Sequence, residues 1–282
     1  MNISKALIII VFVIVGLAVA LYMHFDTAQI PYEHAKTVTI QKKWELPEIL
    51  DEVSGIVYFG DQKIAAVQDE KGIIFIYNLN TSSIEKEIPF GEDGDYEGIT
   101  LVGNTAYVLK SDGTLSQVAN FMGNQAQTTV YESPFKKGSN FEGLCYDRKH
   151  NRLLLALKEN GESDSKPVYA FDLTTKTFNK EPVFTLRSDD PILATSSKKK
   201  KKPALYPSEI NIHPETGKVF ILEGVRPKLL ILDAAGTMET LYVLDRKQFP
   251  QAEGLTFGSQ NEVFISNEGS GGTPNLLHVK LN

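Results

Sequence analysis

The sequence predicts an all-β fold: a five-bladed β-propeller of four-stranded blades, its last blade completed by an N-terminal strand, with one transmembrane helix ahead of it. Three observations predict it. One short motif recurs five times at a period near 45 residues, each copy opens a series of strand-length apolar segments, and the chain begins with an uncharged stretch of 18 residues, Ala6 to Met23.

The N-terminal stretch follows Lys5 and precedes His24, Phe25 and Asp26. As a helix it would span about 27 Å, close to the hydrocarbon core of a bilayer. The basic residue on its N-terminal side favours a cytoplasmic N-terminus. Residues 1–30 are therefore read as a membrane anchor and short linker, with the remainder held at the cell membrane on the extracytoplasmic, periplasmic side. A cleaved signal peptide is the alternative, since Ala18-Val19-Ala20 offers a small-x-small site, although the apolar run continues past it. No cysteine follows the segment closely, which excludes a lipoprotein anchor.

A net charge of −6 argues against nucleic-acid binding, which needs a cationic face. The one cysteine, Cys145, permits neither an intramolecular disulfide nor a cysteine-based zinc site, and it reads as a small buried strand residue. The globular part is expected to be a monomer.

Residues 36–282 form the propeller domain. Its motif copies are "EVSGIVYF" from Glu52, "DYEGITLV" from Asp95, "NFEGLCYD" from Asn140, "YPSEINIH" from Tyr206 and "QAEGLTFG" from Gln251, spaced 43, 45, 66 and 45 residues apart. Two loop-like insertions, "KENGESDSKP" and "SDDPILATSSKKKKKP", account for most of the long interval. After each motif come a second strand ("KIAAVQ", "TAYVLK", "RLLLAL", "KVFILE", "EVFISN") and a third ("GIIFIYNL", "GTLSQVAN", "PVYAFDL", "PKLLILDA", "NLLHVKL"). A fourth, "SIEKEIPF", "AQTTVYESPF", "NKEPVFTL" or "METLYVLD", closes every unit but the last. The spare strand "KTVTIQKKWEL" precedes the first motif and is expected to complete the fifth blade. Radial repetition of this kind leaves only short protected sheet edges.

First strands line the channel of a propeller, so the third motif positions, Ser54, Glu97, Glu142, Ser208 and Glu253, should converge near one mouth. Asp69, Asp112, Glu159 and Glu268, near the ends of second strands, suggest a second ring, and Glu209 and Glu223 add acid to the fourth blade. Two carboxylates about 6 Å apart repel by roughly 3 kcal/mol at an effective dielectric near 20. Protonation, a Lys or Arg in the channel, or a bound cation would each offset this. A set of oxygen donors without His or Cys suits Ca2+ better than Mg2+. The competing readings are that the acids accept backbone N–H bonds and fix the ring, or that they are catalytic.

Lys198 to Lys202 read as a solvated loop and His213 as a strand-end residue. No nucleophile elbow, HExxH or phosphate-cradling glycine loop is present.

Together, "DEVSGIVY", "DYEGIT", "NFEGLCYD", "PSEINIHPETGKVFIL" and "PQAEGLTF" with "NEVFISNEG" resemble the SdiA-regulated proteins, exported or membrane-anchored bacterial propellers distantly similar to NHL-repeat proteins. The resemblance covers residues 38 to 282 and implies a five-bladed ring with a calcium site and no established enzymatic activity. It places Glu97, Glu142 and Glu253 at the family's "EG" acids, and Glu159 and Glu268 at the acids ending second strands. Glu209 stands where the other four copies have Gly, either facing the channel or replacing a missing ligand. The expected metal set is thus Glu97, Glu142, Glu253, Glu159, Glu268 and Glu209, with no catalytic residue. Two functions follow: a membrane-anchored calcium-binding module or scaffold for an unknown small-molecule or protein ligand, or a metal-dependent phosphate-ester hydrolase with Lys110, Lys158 or Arg226 beside the metal.

Overall fold

The computed structural model describes residues 32–159, 165–195 and 205–282. The expected membrane segment and the lysine run Lys198 to Lys202 lie outside the described residues. Among the described residues no helix is long and apolar enough to cross a membrane, and the helical elements are two short 3-10 turns, Glu48–Leu50 and Pro191–Leu193.

Among the described residues twenty strands build five blades. Blade 1 comprises β2 (Val53–Tyr58), β3 (Lys63–Gln68), β4 (Ile73–Asn78) and β5 (Ser83–Pro89). Blade 2 comprises β6 (Tyr96–Val102), β7 (Thr105–Lys110), β8 (Leu115–Ala119) and β9 (Gln127–Tyr131). Blade 3 comprises β10 (Asn140–Asp147), β11 (Arg152–Glu159), β12 (Ser165–Asp172) and β13 (Thr177–Arg187), so part of the first expected insertion is strand. Blade 4 comprises β14 (Glu209–Ile212), β15 (Val219–Glu223), β16 (Lys228–Leu232) and β17 (Met238–Val243). Blade 5 comprises β18 (Ala252–Phe257), β19 (Val263–Asn267), β20 (Asn275–Leu281) and, as its fourth strand, β1 (Lys36–Glu45). The first strands touch in cyclic order, β2 to β6, β10, β14, β18 and back to β2.

The expected closure is present: β1 runs antiparallel to β20 from Val38 opposite Leu281 to Glu45 opposite Asn275. One pairing was not expected. Lys36 and Thr37 also pair in parallel with Tyr242 and Val243 of β17, which joins blades 4 and 5 into a single eight-stranded sheet.

Each blade buries both faces, which is why its inner strands read as continuous apolar runs rather than alternating ones. In β15, Val219 and Ile221 pack toward blade 3, while Phe220 and Leu222 pack toward blade 5. Five apolar clusters result, one at each junction between neighbouring blades. The first strands approach so closely that a side chain does not fit at the motif glycine. A Cβ at Gly98 would stand 2.8 Å from the Leu144 Cβ, and one at Gly143 would stand 2.6 Å from the Ile210 nitrogen.

Candidate functional site at the channel mouth

The motif acid occupies a β-bulge. Tyr96 pairs with Lys110 and Gly98 with Leu109, which leaves Glu97 as the extra residue. Glu142 is the extra residue between Phe141 and Gly143, and Glu253 between Ala252 and Gly254. A bulge re-aims the side chain it carries. The three glutamates are thereby freed from the blade faces and brought close enough for their charges to act on one another.

The two serine copies do something different. Ser54 Oγ donates to the Tyr96 carbonyl at 2.6 Å and Ser208 Oγ to the Ala252 carbonyl at 2.8 Å, each tying its blade to the backbone just before the next blade's glutamate. Serines therefore hold the ring at two junctions, and glutamates concentrate charge at the other three positions.

Lys158, on β11, supplies the counter-charge. Its ammonium lies 2.5 Å from Glu142 Oε1, with the Glu142 side chain 5% and the Lys158 side chain 19% exposed. Asn140 Nδ2 donates to the same oxygen at 3.1 Å. The second oxygen, Glu142 Oε2, is buried without a hydrogen-bond partner.

One ammonium does not neutralise three acids in a buried site. Burial, reinforced by the charges of Glu142 and Asp95, pushes the Glu97 carboxyl up to about 9. Burial and the Glu142 charge hold Glu253 well above the usual carboxylate range. Burial raises Glu142 as well, although Lys158 and Asn140 oppose it. For Lys158, burial works against the charge, but Glu142, Glu253 and Glu97 outweigh it and raise the ammonium. The cluster therefore holds protons at neutral pH.

A second acidic group borders the first. Asp69 is pushed up to about 7 by burial and then by Glu52, and its Oδ1 is buried without a partner. Glu268 is likewise pushed up to about 7, by burial and the charges of Asp69 and Glu52, while Gln251 Nε2 donates to it.

The remaining expected residues lie elsewhere. Glu159 is exposed at the end of β11. Asp112 Oδ1 accepts from the Thr114 N–H at 2.8 Å and caps a turn. Glu209 is fully buried, and its Oε1 accepts the N–H groups of Leu144 and Ile210, each at 2.9 Å, so it joins blades 3 and 4 at the place where other copies have glycine. Burial keeps its carboxyl well above the usual range. Glu223 forms a buried pair with Lys228 at 2.5 Å. Lys110 lies over the Tyr96 ring, 4.9 Å from its centroid. His213 Nδ1 accepts the N–H groups of Glu215 and Thr216 and serves the turn. Cys145 is buried in the core, where burial raises the thiol.

The donor set at the mouth is entirely oxygen, as Ca2+ prefers. Among the described residues, however, no three His, Cys, Asp or Glu side chains gather closely enough to hold a metal ion as they stand. Asn140, Asp95 and Glu52 complete the site without having been singled out. Only the positions of Asp95 and Asn140, two residues before a motif acid, marked them in the sequence.

The family profile described as SdiA-regulated matches residues 29–279. No curated protein matches the chain. Among solved structures, glutaminyl cyclase from Myxococcus xanthus is similar at a TM-score of 0.61 and 14% identity, over 89% of this chain and 98% of that one. The PQQ-bound aldose sugar dehydrogenase from Streptomyces coelicolor is similar at a TM-score of 0.55 and 10% identity, over 89% of this chain and 100% of the other. At such identities the likeness is one of fold, and propellers host unrelated activities.

Proposed function

The chain belongs to the SdiA-regulated family, and from that premise we propose that it is a membrane-anchored, extracytoplasmic binding or scaffold module whose channel mouth takes up calcium. The observation that carries the reading is an acid cluster kept protonated for want of counter-charge: Glu97, Glu142 and Glu253 face one ammonium, and Glu142 Oε2 is buried and unpartnered. Glu97, Glu142 and Glu253 would hold the ion, with Glu268 beside them. The bound cation would take the place of the protons that the cluster holds where Lys158 alone does not neutralise it. The fit is one of donor chemistry rather than of a finished cage, because Lys158 already occupies Glu142 Oε1. Calcium uptake therefore competes with an ammonium belonging to the protein itself. The anchoring half of the proposal rests on the uncharged stretch Ala6 to Met23 behind Lys5.

A metal-dependent phosphate-ester hydrolase would need free cationic side chains beside the ion to take the phosphate. Lys158 is committed to Glu142, Lys110 lies over Tyr96, and Arg226 lies close enough to Glu223 for their charges to interact. The geometry favours binding over hydrolysis.

Calorimetric titration of chelator-stripped protein with CaCl2 tests the metal. Wild type is expected to bind and to gain thermal stability, by about 2.7 kcal/mol at a hundredfold excess over Kd, and Glu142→Gln with Glu253→Gln to lose both responses. Absence of binding heat and of any thermal shift in wild type overturns the calcium reading.

A further inference from the structure

We propose that the propeller is held with its channel-mouth face toward the bilayer. This rests on the anchor reading above and adds an orientation to it. Three observations converge on that face.

The first is where the chain enters the domain. Tyr32 forms an isolated bridge with Thr195, and the Glu33 N–H donates to the Ala194 carbonyl at 3.3 Å. The Tyr32 ring lies 6.0 Å from Lys228 Nζ, and its hydroxyl is pushed up to about 12 by burial and by Glu223. Glu223 closes β15 and Lys228 opens β16, paired across the hairpin end of blade 4 at which β14 also begins. First strands begin at the channel mouth, so the entry point is on the mouth face. From there the chain crosses the edge of blade 4, pairing with β17, to reach blade 5.

The second is reach. Eight residues, 24–31, separate Met23 from Tyr32. Fully extended they span at most about 28 Å. The height of a blade, set by the eight residues of β11, is about 26 Å without its turns. Turning the opposite face to the bilayer would consume the whole linker in descending the blade.

The third is surface chemistry. Among the described residues three large apolar side chains are exposed: Ile49, Val130 and Val225. Ile49 lies in the 3-10 turn that leads into β2 and Val225 in the β15–β16 hairpin, while Val130 lies on β9, the outermost strand of blade 2. Ile49 and Val225 belong to the mouth side, where an interfacial apolar side chain gains by leaving water. The acid cluster consequently opens toward the headgroup region, and its ligand arrives from the membrane surface.

The test uses the full chain in liposomes containing headgroup-labelled quencher lipid. Cys145 is buried, so single cysteines placed at exposed sites label selectively. Fluorophores at Val225→Cys and Ile49→Cys report the mouth face, and those at Asn104→Cys and Lys149→Cys report turns on the opposite face. Quenching several-fold greater at 225 and 49 than at 104 and 149 is the expected result. Equal or reversed quenching in a chain that floats with the liposomes overturns the orientation and leaves the anchor intact. A chain that does not float with them overturns the anchor and the orientation together.

Discussion

Lys158→Met removes the ammonium from the channel mouth and leaves Glu142 buried beside Glu97 and Glu253. With about 3 Å between charge centres and an effective dielectric near 20, the direct attraction between Lys158 and Glu142 is worth about 5 kcal/mol before desolvation. Removing one partner of a buried pair costs about 3–5 kcal/mol, because the other charge stays buried without compensation. In a domain of this size each kcal/mol moves Tm by about 2–4 °C, so the variant should melt about 6–20 °C below wild type near pH 8. The loss should depend on pH. Toward pH 5 the raised Glu142 carboxyl takes up its proton more readily than an ordinary glutamate, Lys158 has less anion to compensate, and the gap should narrow. Thermal melts of both proteins across that range, followed by circular dichroism, measure the gap. A deficit below about 1 kcal/mol that stays constant with pH would refute the claim that Lys158 is the counter-ion of a buried acid cluster.

Three further outcomes are expected. The raised Glu97 carboxyl supports the folded state fully below the ordinary value of 4.5, and that support is lost as pH rises through about 9. Glu268 and Asp69 lose theirs as pH rises through about 7. Chemical denaturation at a series of pH values should therefore show stability falling toward alkaline pH, and Glu97→Gln should flatten the upper part of the fall. Glu209→Gln keeps an acceptor for the Leu144 and Ile210 N–H groups and should stay within about 1 kcal/mol of wild type, whereas Glu209→Gly orphans both and should cost about 1–3 kcal/mol. Lys228→Met should cost about 3–5 kcal/mol by stranding Glu223, and pairing it with Glu223→Leu should recover most of the loss, read as urea midpoints.

The blades were legible because each must bury two faces, which writes long apolar runs at a fixed period into the sequence. The closing strand was legible by subtraction: "KTVTIQKKWEL" had no unit of its own and the fifth unit lacked a strand. The motif acids could be read as a convergent set because symmetry places equivalent residues together. What symmetry does not carry was harder to see. Lys158 and Lys110 occupy similar places near the ends of second strands, yet one reaches Glu142 and the other lies over Tyr96, a difference set by local packing. Glu209 departs from the repeat, and the sequence left open whether it faces the channel or substitutes for a ligand. In the structure it satisfies two backbone N–H groups between blades, a role visible only once the neighbouring strand is placed. The parallel pairing of Lys36 and Thr37 with β17 left no trace, since it depends on where the edge of blade 4 passes the incoming chain.

The strand that completes blade 5 also fixes when the protein can exist as a ring. Pairing Val38 with Leu281 closes a loop of about 240 residues, and of the ring's strands ribosomes deliver β1 first and β20 last. Until β20 emerges, β1 lacks its antiparallel neighbour and blade 5 is incomplete. Loss of the seven residues of β20, Asn275–Leu281, should leave the molecule in that same unfinished condition. β20 is therefore the clasp of the ring, and whatever the mouth binds can be held only once that strand is in place.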